Sequence, residues 1–168
     1  KGPFPAPSRR RYVSSTGEII LDTAPELKVI TPKSECITTA RSASEGKVLS
    51  FRNGGTFQTL SVHSLDNLPL ERSSSLLLFH LADTKNTAEK FSAPDMTLLL
   101  EYGKGPMLLE IASSDVSLRL PSGEWKVSAL NMSGTVKSSV KSAYREGVLR
   151  FPVSTRNAMV YLIEKKTE

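Results

Sequence analysis

Val116-Ser117-Leu118-Arg119-Leu120 runs through Pro121-Ser122-Gly123 into Trp125-Lys126-Val127-Ser128-Ala129-Leu130. Side chains of an extended chain point alternately to opposite faces, so Val116, Leu118 and Leu120 share one side, and Trp125, Val127 and Ala129 share another. The Pro-Ser-Gly break between the two runs supplies a turn. This is the pattern of antiparallel strands with one face on a core and one in water, which suits two sheets packed over a single interior.

The same grammar extends outward in both directions. Ser15-Thr16-Gly17-Glu18 precedes Ile19–Leu21, Ala24-Pro25-Glu26 precedes Leu27–Ile30, Ser44-Glu45-Gly46 precedes Val48–Phe51, and Asn53-Gly54-Gly55 precedes Phe57–Val62. Towards the C-terminus, Gly103-Lys104-Gly105, Met132-Ser133-Gly134 and Arg145-Glu146-Gly147 punctuate further apolar runs, and Met159–Ile163 closes the series. Counted this way, roughly eleven to thirteen short strands are predicted, at the spacing of sandwiches or barrels, with almost no helix. The expected fold is all-β, an antiparallel two-sheet β-sandwich of jelly-roll or immunoglobulin-like type, forming one domain over residues 11–168. Residues 1–10, with Pro3, Pro5 and Pro7 ahead of Arg9-Arg10-Arg11, read as a linker.

Two runs break the alternation. Leu76-Leu77-Leu78-Phe79 and Leu98-Leu99-Leu100 are apolar at every position, as central strands covered on both sides would be, and one of them suits burial against a neighbouring domain. Asp83–Phe91 is polar and reads as a long loop with at most a helical turn.

The chain has 168 residues, enough for one sizeable core, with 39% hydrophobic residues and a formal charge of +5 from 22 basic and 17 acidic side chains spread along its length. Only 7% of residues are aromatic, so the interleaved basic and stacking surface of a nucleic-acid binder is not expected. Cys36 is the single cysteine, which excludes an intrachain disulfide and zinc sites built on paired cysteines. No apolar run reaches membrane-spanning length, so no membrane insertion is expected. The opening Lys1-Gly2, without an initiator Met, suggests a processed protein or an excised piece.

Candidate chemistry is sparse. His80 lies near Asp83, Lys85 and Asn86, a base and carboxylate pairing that a small hydrolase would use, although no nucleophile motif accompanies it. At the end of an apolar strand, such a histidine more often satisfies loop backbone groups. Asp83 and Asn86 leave room for a structural calcium ion, and no other cofactor is expected. Sugar-binding surfaces stack planar aromatics on pyranose rings, for which Trp125, Tyr102, Tyr144 and Tyr161 are available. Trp125 shares its face with Val127 and Ala129 and is expected in the core, whereas Tyr144, within Lys141–Glu146, is expected to be exposed.

Three stretches carry a family resemblance. Tyr12-Val13-Ser14-Ser15-Thr16-Gly17-Glu18-Ile19 with Thr31-Pro32-Lys33-Ser34-Glu35 resembles the "SDTGE(I/L) … TPR(S/T)" opening of the C-terminal β-sandwich accessory domain that follows the catalytic barrel in some bacterial glycoside hydrolases. Leu76–Thr87 is similar to the "LLLTHLTDVQNTG" signature of those domains, and Gly123–Leu130 to their "G-W-x-V-x-A-L" segment. The likeness covers roughly residues 11 to 163; Lys33 stands where Arg is usual, Ala82 where Thr is, and Glu89 where a small residue is. It implies a non-catalytic domain of a secreted or periplasmic polysaccharide-degrading enzyme, partnered with the catalytic domain of the same parent chain, in which His80, Asp83 and Asn86 hold a loop. The segment Thr31–Glu35 and the loop Asp83–Phe91 are the expected barrel-facing patch. An independent carbohydrate-binding module is the alternative, with polysaccharide as its partner.

Overall fold

A computed structural model describes residues 11–22, 26–93 and 96–166. The expected linker 1–10 and the expected turn at Ala24-Pro25 fall outside the described residues. Within them the chain is all-β, with no helix.

Strands β1 (Arg11–Val13), β2 (Ile19–Asp22), β3 (Glu26–Ile30) and β4 (Ser34–Thr39) form a meander. Strands β5 (Ala43–Glu45) and β6 (Leu49–Asn53) leave it for a second sheet, and β7 (Gln58–Ser64) and β8 (Ser75–Ala82) return beside β4. Strands β9 (Thr84–Thr87), β10 (Lys90–Phe91), β11 (Leu99–Glu101) and β12 (Lys104–Leu109) pair among themselves in two short ladders, β9 with β12 and β10 with β11. Strand β13 (Ser113–Arg119) joins the second sheet, β14 (Trp125–Leu130) and β15 (Val136–Val140) the first, β16 (Ala143–Arg145) and β17 (Val148–Ser154) the second, and β18 (Val160–Lys165) the first. The result is a nine-stranded sheet, β1-β2-β3-β4-β7-β8-β18-β14-β15, and a five-stranded sheet, β16-β17-β13-β6-β5. Neighbouring strands run antiparallel throughout both.

The inward residues of both sheets belong to one hydrophobic cluster. Ile37, Leu60, Leu76, Leu78, Val127, Tyr161 and Ile163 come from the larger sheet, and Leu49, Phe51, Val116, Leu118, Leu149 and Phe151 from the smaller. The layering is therefore consistent with the expected β-sandwich. Strand β13 keeps its alternation, with Val116 and Leu118 buried and Arg119 exposed. Strand β14 departs from it, because Ser128 and Leu130, on the face opposite Trp125, are buried as well.

Two expectations fail in the segment after β8. Asp83–Phe91 is not a loop with a helical turn, since it contributes β9 and β10, whose ladder partners lie across the chain in β12 and β11. Local composition carries no trace of such pairing, which is decided by what lies opposite. Leu98–Leu100 is not a central strand; Leu98 and Leu100 are exposed at the ladder of β11. Strand β8, by contrast, is central, between β7 and β18.

Polar pins cross between the sheets. Glu35, on β4 and fully buried, accepts hydrogen bonds at Oε1 from the Lys47 and Val48 N–H groups (3.0 and 2.9 Å) and at Oε2 from the Leu49 N–H (2.8 Å). The carboxylate thus satisfies the turn that opens β6 in the facing sheet. Gly46 is required there for space, since a β-carbon would collide with Glu35 Oε2. On β18, the Tyr161 hydroxyl donates to the Ser154 carbonyl (3.0 Å) and accepts from the Ser154 N–H (2.9 Å), binding the end of β17. At the outer edge Ser44 Oγ donates to Glu26 Oε1 (2.6 Å), joining β5 to β3.

Glu35→Ala leaves three backbone donors without their acceptor, two of them in the dry interior, so it is expected to destabilise the chain by about 3 kcal/mol, read as a lower urea midpoint with an unchanged slope. Glu35→Gln, which keeps one acceptor oxygen, is expected to lose less.

Candidate functional site

His80 lies on the inner face of β8, with no exposed surface. Its Nε2 meets Gln58 Oε1 at 2.6 Å, and the same oxygen accepts from Ser114 Oγ at 2.8 Å. Gln58 comes from β7 and Ser114 from β13, so the three side chains form a buried bridge between the sheets. Because the Gln58 oxygen can only accept, Nε2 carries the proton and Nδ1 is the bare nitrogen, buried with no partner among the described residues. Burial lowers the His80 pKa to about 4, so the ring is neutral around pH 7. A serine, an amide oxygen and an imidazole do line up, but the amide oxygen accepts from both ends and no base faces the serine. The ring is also out of reach of any substrate.

Asp83 is not His80's partner. Its Oδ1 accepts from the Thr84 N–H (2.9 Å) and its Oδ2 lies 3.7 Å from Lys85 Nζ. The Asn86 side-chain amide donates to the Tyr102 carbonyl (3.0 Å), and the Asn86 N–H donates to Glu89 Oε2 (2.8 Å). The first bond ties β9 to the segment beyond β11, and the second closes the turn between β9 and β10. Asp83 and Asn86 thus engage different protein partners. Among the described residues, no group of three or more His, Cys, Asp or Glu side chains is placed to hold a metal.

The aromatic candidates are scattered. Trp125 is 7% exposed, as its face on β14 predicted, and its Nε1 donates to the Pro121 carbonyl (3.2 Å). Tyr144 is half-buried rather than exposed, packed on the core with its hydroxyl bonded to the Leu120 carbonyl (3.1 Å). The polarity of Lys141–Glu146 concealed this, because Tyr144 pairs with the inward residue Leu149 and so follows it into the interior. Tyr161 is buried in the core. Tyr102, 80% exposed, is the one of the four left open to solvent.

The segment Thr31–Glu35 is largely occupied from within. The Thr31 hydroxyl donates to the Ser34 carbonyl and accepts from the Ser34 N–H (3.0 Å each), Lys33 Nζ donates to Asn67 Oδ1, and Glu35 points into the core. Close by, Asp66 gathers bonds from Ser64 Oγ, Ser73 Oγ, Ser74 Oγ and the N–H groups of Leu68 and Ser74. Burial alone would raise its pKa, but these donors outweigh it and hold the carboxyl well below the usual carboxylate range.

What the sequence analysis missed is the outer face of the nine-stranded sheet. Tyr12, Leu21, Leu27, Thr38, Thr59 and Leu81 are successive cross-strand neighbours from β1 to β8. Tyr12, Leu21, Leu27 and Leu81 are exposed, as is Ile19, which begins the next row through Val29, Cys36, Ser61, Phe79 and Val160. The unbroken apolar run Leu76–Phe79 was the available signal, since Leu77 and Phe79 lie on this outer side. His63 belongs to it too, edge-on to Phe79 with ring centroids 5.7 Å apart.

Two tests follow from the placement of these residues. Trp125→Ala is expected to cost about 3–5 kcal/mol and to lower the melting temperature, so any loss of ligand binding in that variant reports unfolding. His80 has a folded pKa below its ordinary 6.5, so the unfolded chain takes up the proton first as pH falls. Its stability contribution is complete above about pH 6.5 and drains away towards pH 4, by about 3 kcal/mol in all. Burial lowers the His63 pKa as well, which adds loss of the same sign. In denaturation series from about pH 7.5 to about pH 4.5, His80→Leu is expected to flatten the curve relative to the parent chain.

Comparison of the chain with protein-family models, with curated proteins and with solved structures gives no match.

Proposed function

We propose that this chain is a non-catalytic accessory domain of a bacterial polysaccharide-degrading glycoside hydrolase, and that it packs on and stabilises the catalytic barrel of the same parent chain. The observation that carries the reading is the apolar outer face of the nine-stranded sheet. Exposed Tyr12, Leu21, Leu27 and Leu81 lie in one cross-strand row, next to a second row with Ile19 at its start. Scattered surface leucines need no explanation, but ordered rows on one sheet face mark a surface built to be covered. The family likeness at Tyr12–Ile19 falls on this part of the sheet, and it supplies the identity of the cover. The docking surface therefore shifts from Thr31–Glu35, whose polar groups are used internally, to β1–β3 and the outer side of β8. The arm formed by β9–β12, with Leu98, Leu100, Tyr102, Met107 and Leu108 exposed, is a second apolar surface next to it in sequence.

The reading as an independent module with a stacking platform loses support from the burial of Trp125 and Tyr144. Secretion or periplasmic export follows from the reading, as the resemblance implies.

Melting curves of the parent barrel with and without this domain test the proposal. The domain is expected to raise the barrel's melting temperature, and the double substitution Leu21→Lys/Leu27→Glu, whose opposite charges face each other across β2 and β3, to abolish that gain while leaving the isolated domain's own melting temperature close to unchanged. A barrel equally stable in all three forms would refute the packing role.

A further inference from the structure

The opposite side of the molecule, the outer face of the five-stranded sheet, is grooved and carries charged and hydroxyl side chains. A depression of about 880 Å³ lies over β5, β6, β13 and β17, lined among others by Glu45, Ser50, Arg52, Asp115, Ser117 and Arg150. The ladder register fixes its plan. Arg150, Ser117, Ser50 and Glu45 are cross-strand neighbours in one row, and Pro152, Asp115, Arg52 and Ala43 in the next. The floor is therefore made of small side chains, with Ser50 Oγ engaged at 3.4 Å by the Ser117 carbonyl, while the two arginines stand at diagonal corners. They are two strands and two residues apart, roughly 12 Å between Cα atoms from ordinary sheet spacings.

Among the described residues, neither Arg52 nor Arg150 closes an ion pair within 4 Å, although Asp115 is the direct cross-strand neighbour of Arg52. Two forked donors on a low floor match carboxylates carried on a polymer, which a guanidinium binds in a bidentate manner. Asp115, Glu45 and the serines add acceptors for hydroxyl groups. The two aromatic rings of the lining, Phe51 and Phe151, are buried, so the stacking that neutral sugars and single-stranded nucleic acids rely on is lacking. We propose that this groove binds a uronic-acid-bearing polysaccharide, with Arg52 and Arg150 each pairing a sugar carboxylate. The inference deepens the accessory-domain reading by naming the chemistry of the polymer. It uses the face opposite the apolar one, so docking on a barrel leaves the groove open.

Affinity electrophoresis and calorimetry of the 168-residue chain with polygalacturonate test it, alongside fully methyl-esterified polygalacturonate, a neutral mannan and single-stranded DNA. Polygalacturonate is expected to bind, the ester and the mannan not, and Arg52→Ala/Arg150→Ala to weaken binding by at least about tenfold. The charge-matched control Arg72→Ala/Lys126→Ala, remote from the groove, is expected to bind as the parent chain does. Absence of binding, equal binding of the ester or of DNA, or equal loss in the control would each overturn the groove assignment. None of these results bears on the melting curves of the barrel, so the two readings fail separately.

Discussion

An extended strand gives each residue one of two sides, and the nine-stranded sheet carries apolar side chains on both. Its inner side is satisfied by the five-stranded sheet, through a shared cluster that takes Ile37, Leu60, Leu78 and Ile163 from one layer and Leu49, Val116, Leu118 and Phe151 from the other. The smaller sheet has five strands against nine, and among the described residues no third layer covers the outer rows at Tyr12, Leu21 and Leu27. The imbalance leaves a face whose exposure to water is unfavourable at about 25 cal/mol per Å² of apolar surface. A large covering partner removes that penalty.

Within the two layers, register is set as much by buried polar groups as by apolar packing. Glu35, Gln58 and Tyr161 each start on the larger sheet and end on the smaller, at the 47–49 turn, at Ser114 and at Ser154. A hydrophobic interior tolerates small slips, whereas a carboxylate holding three backbone N–H groups does not, because a slip leaves charge and donors unpaired in a dry setting. The His80–Gln58–Ser114 bridge belongs with these pins. Its chemistry is that of a structural tie, with a neutral imidazole kept from solvent.

The two outer faces differ in kind. Alternation on β6, β13 and β17 sends Ser50, Arg52, Asp115, Ser117 and Arg150 outward, placing charged and hydroxyl groups in a trough. Alternation on β1, β2 and β3 sends Tyr12, Leu21 and Leu27 outward, making an oily row. The proposed docking by one side and binding of a polymer by the other would use this arrangement.

The sequence by itself determined the class of structure. Period-two hydrophobicity in Val116–Leu120, turn signals such as Pro121-Ser122-Gly123, and the inward face of Trp125 are local properties, decided by strand geometry over a few residues. It also held, in Leu76–Phe79, the mark of a strand with two apolar sides. Only the tertiary structure decided what stands opposite what. The conversion of Asp83–Phe91 from loop to strands, the inward turn of Tyr144 beside Leu149, the separation of His80 from Asp83, and the meeting of Arg52 with Ser50, Ser117 and Arg150 all depend on cross-strand partners far away along the chain. Pairing of that kind is chosen by the summed burial of whole sheets, which no short window of residues encodes.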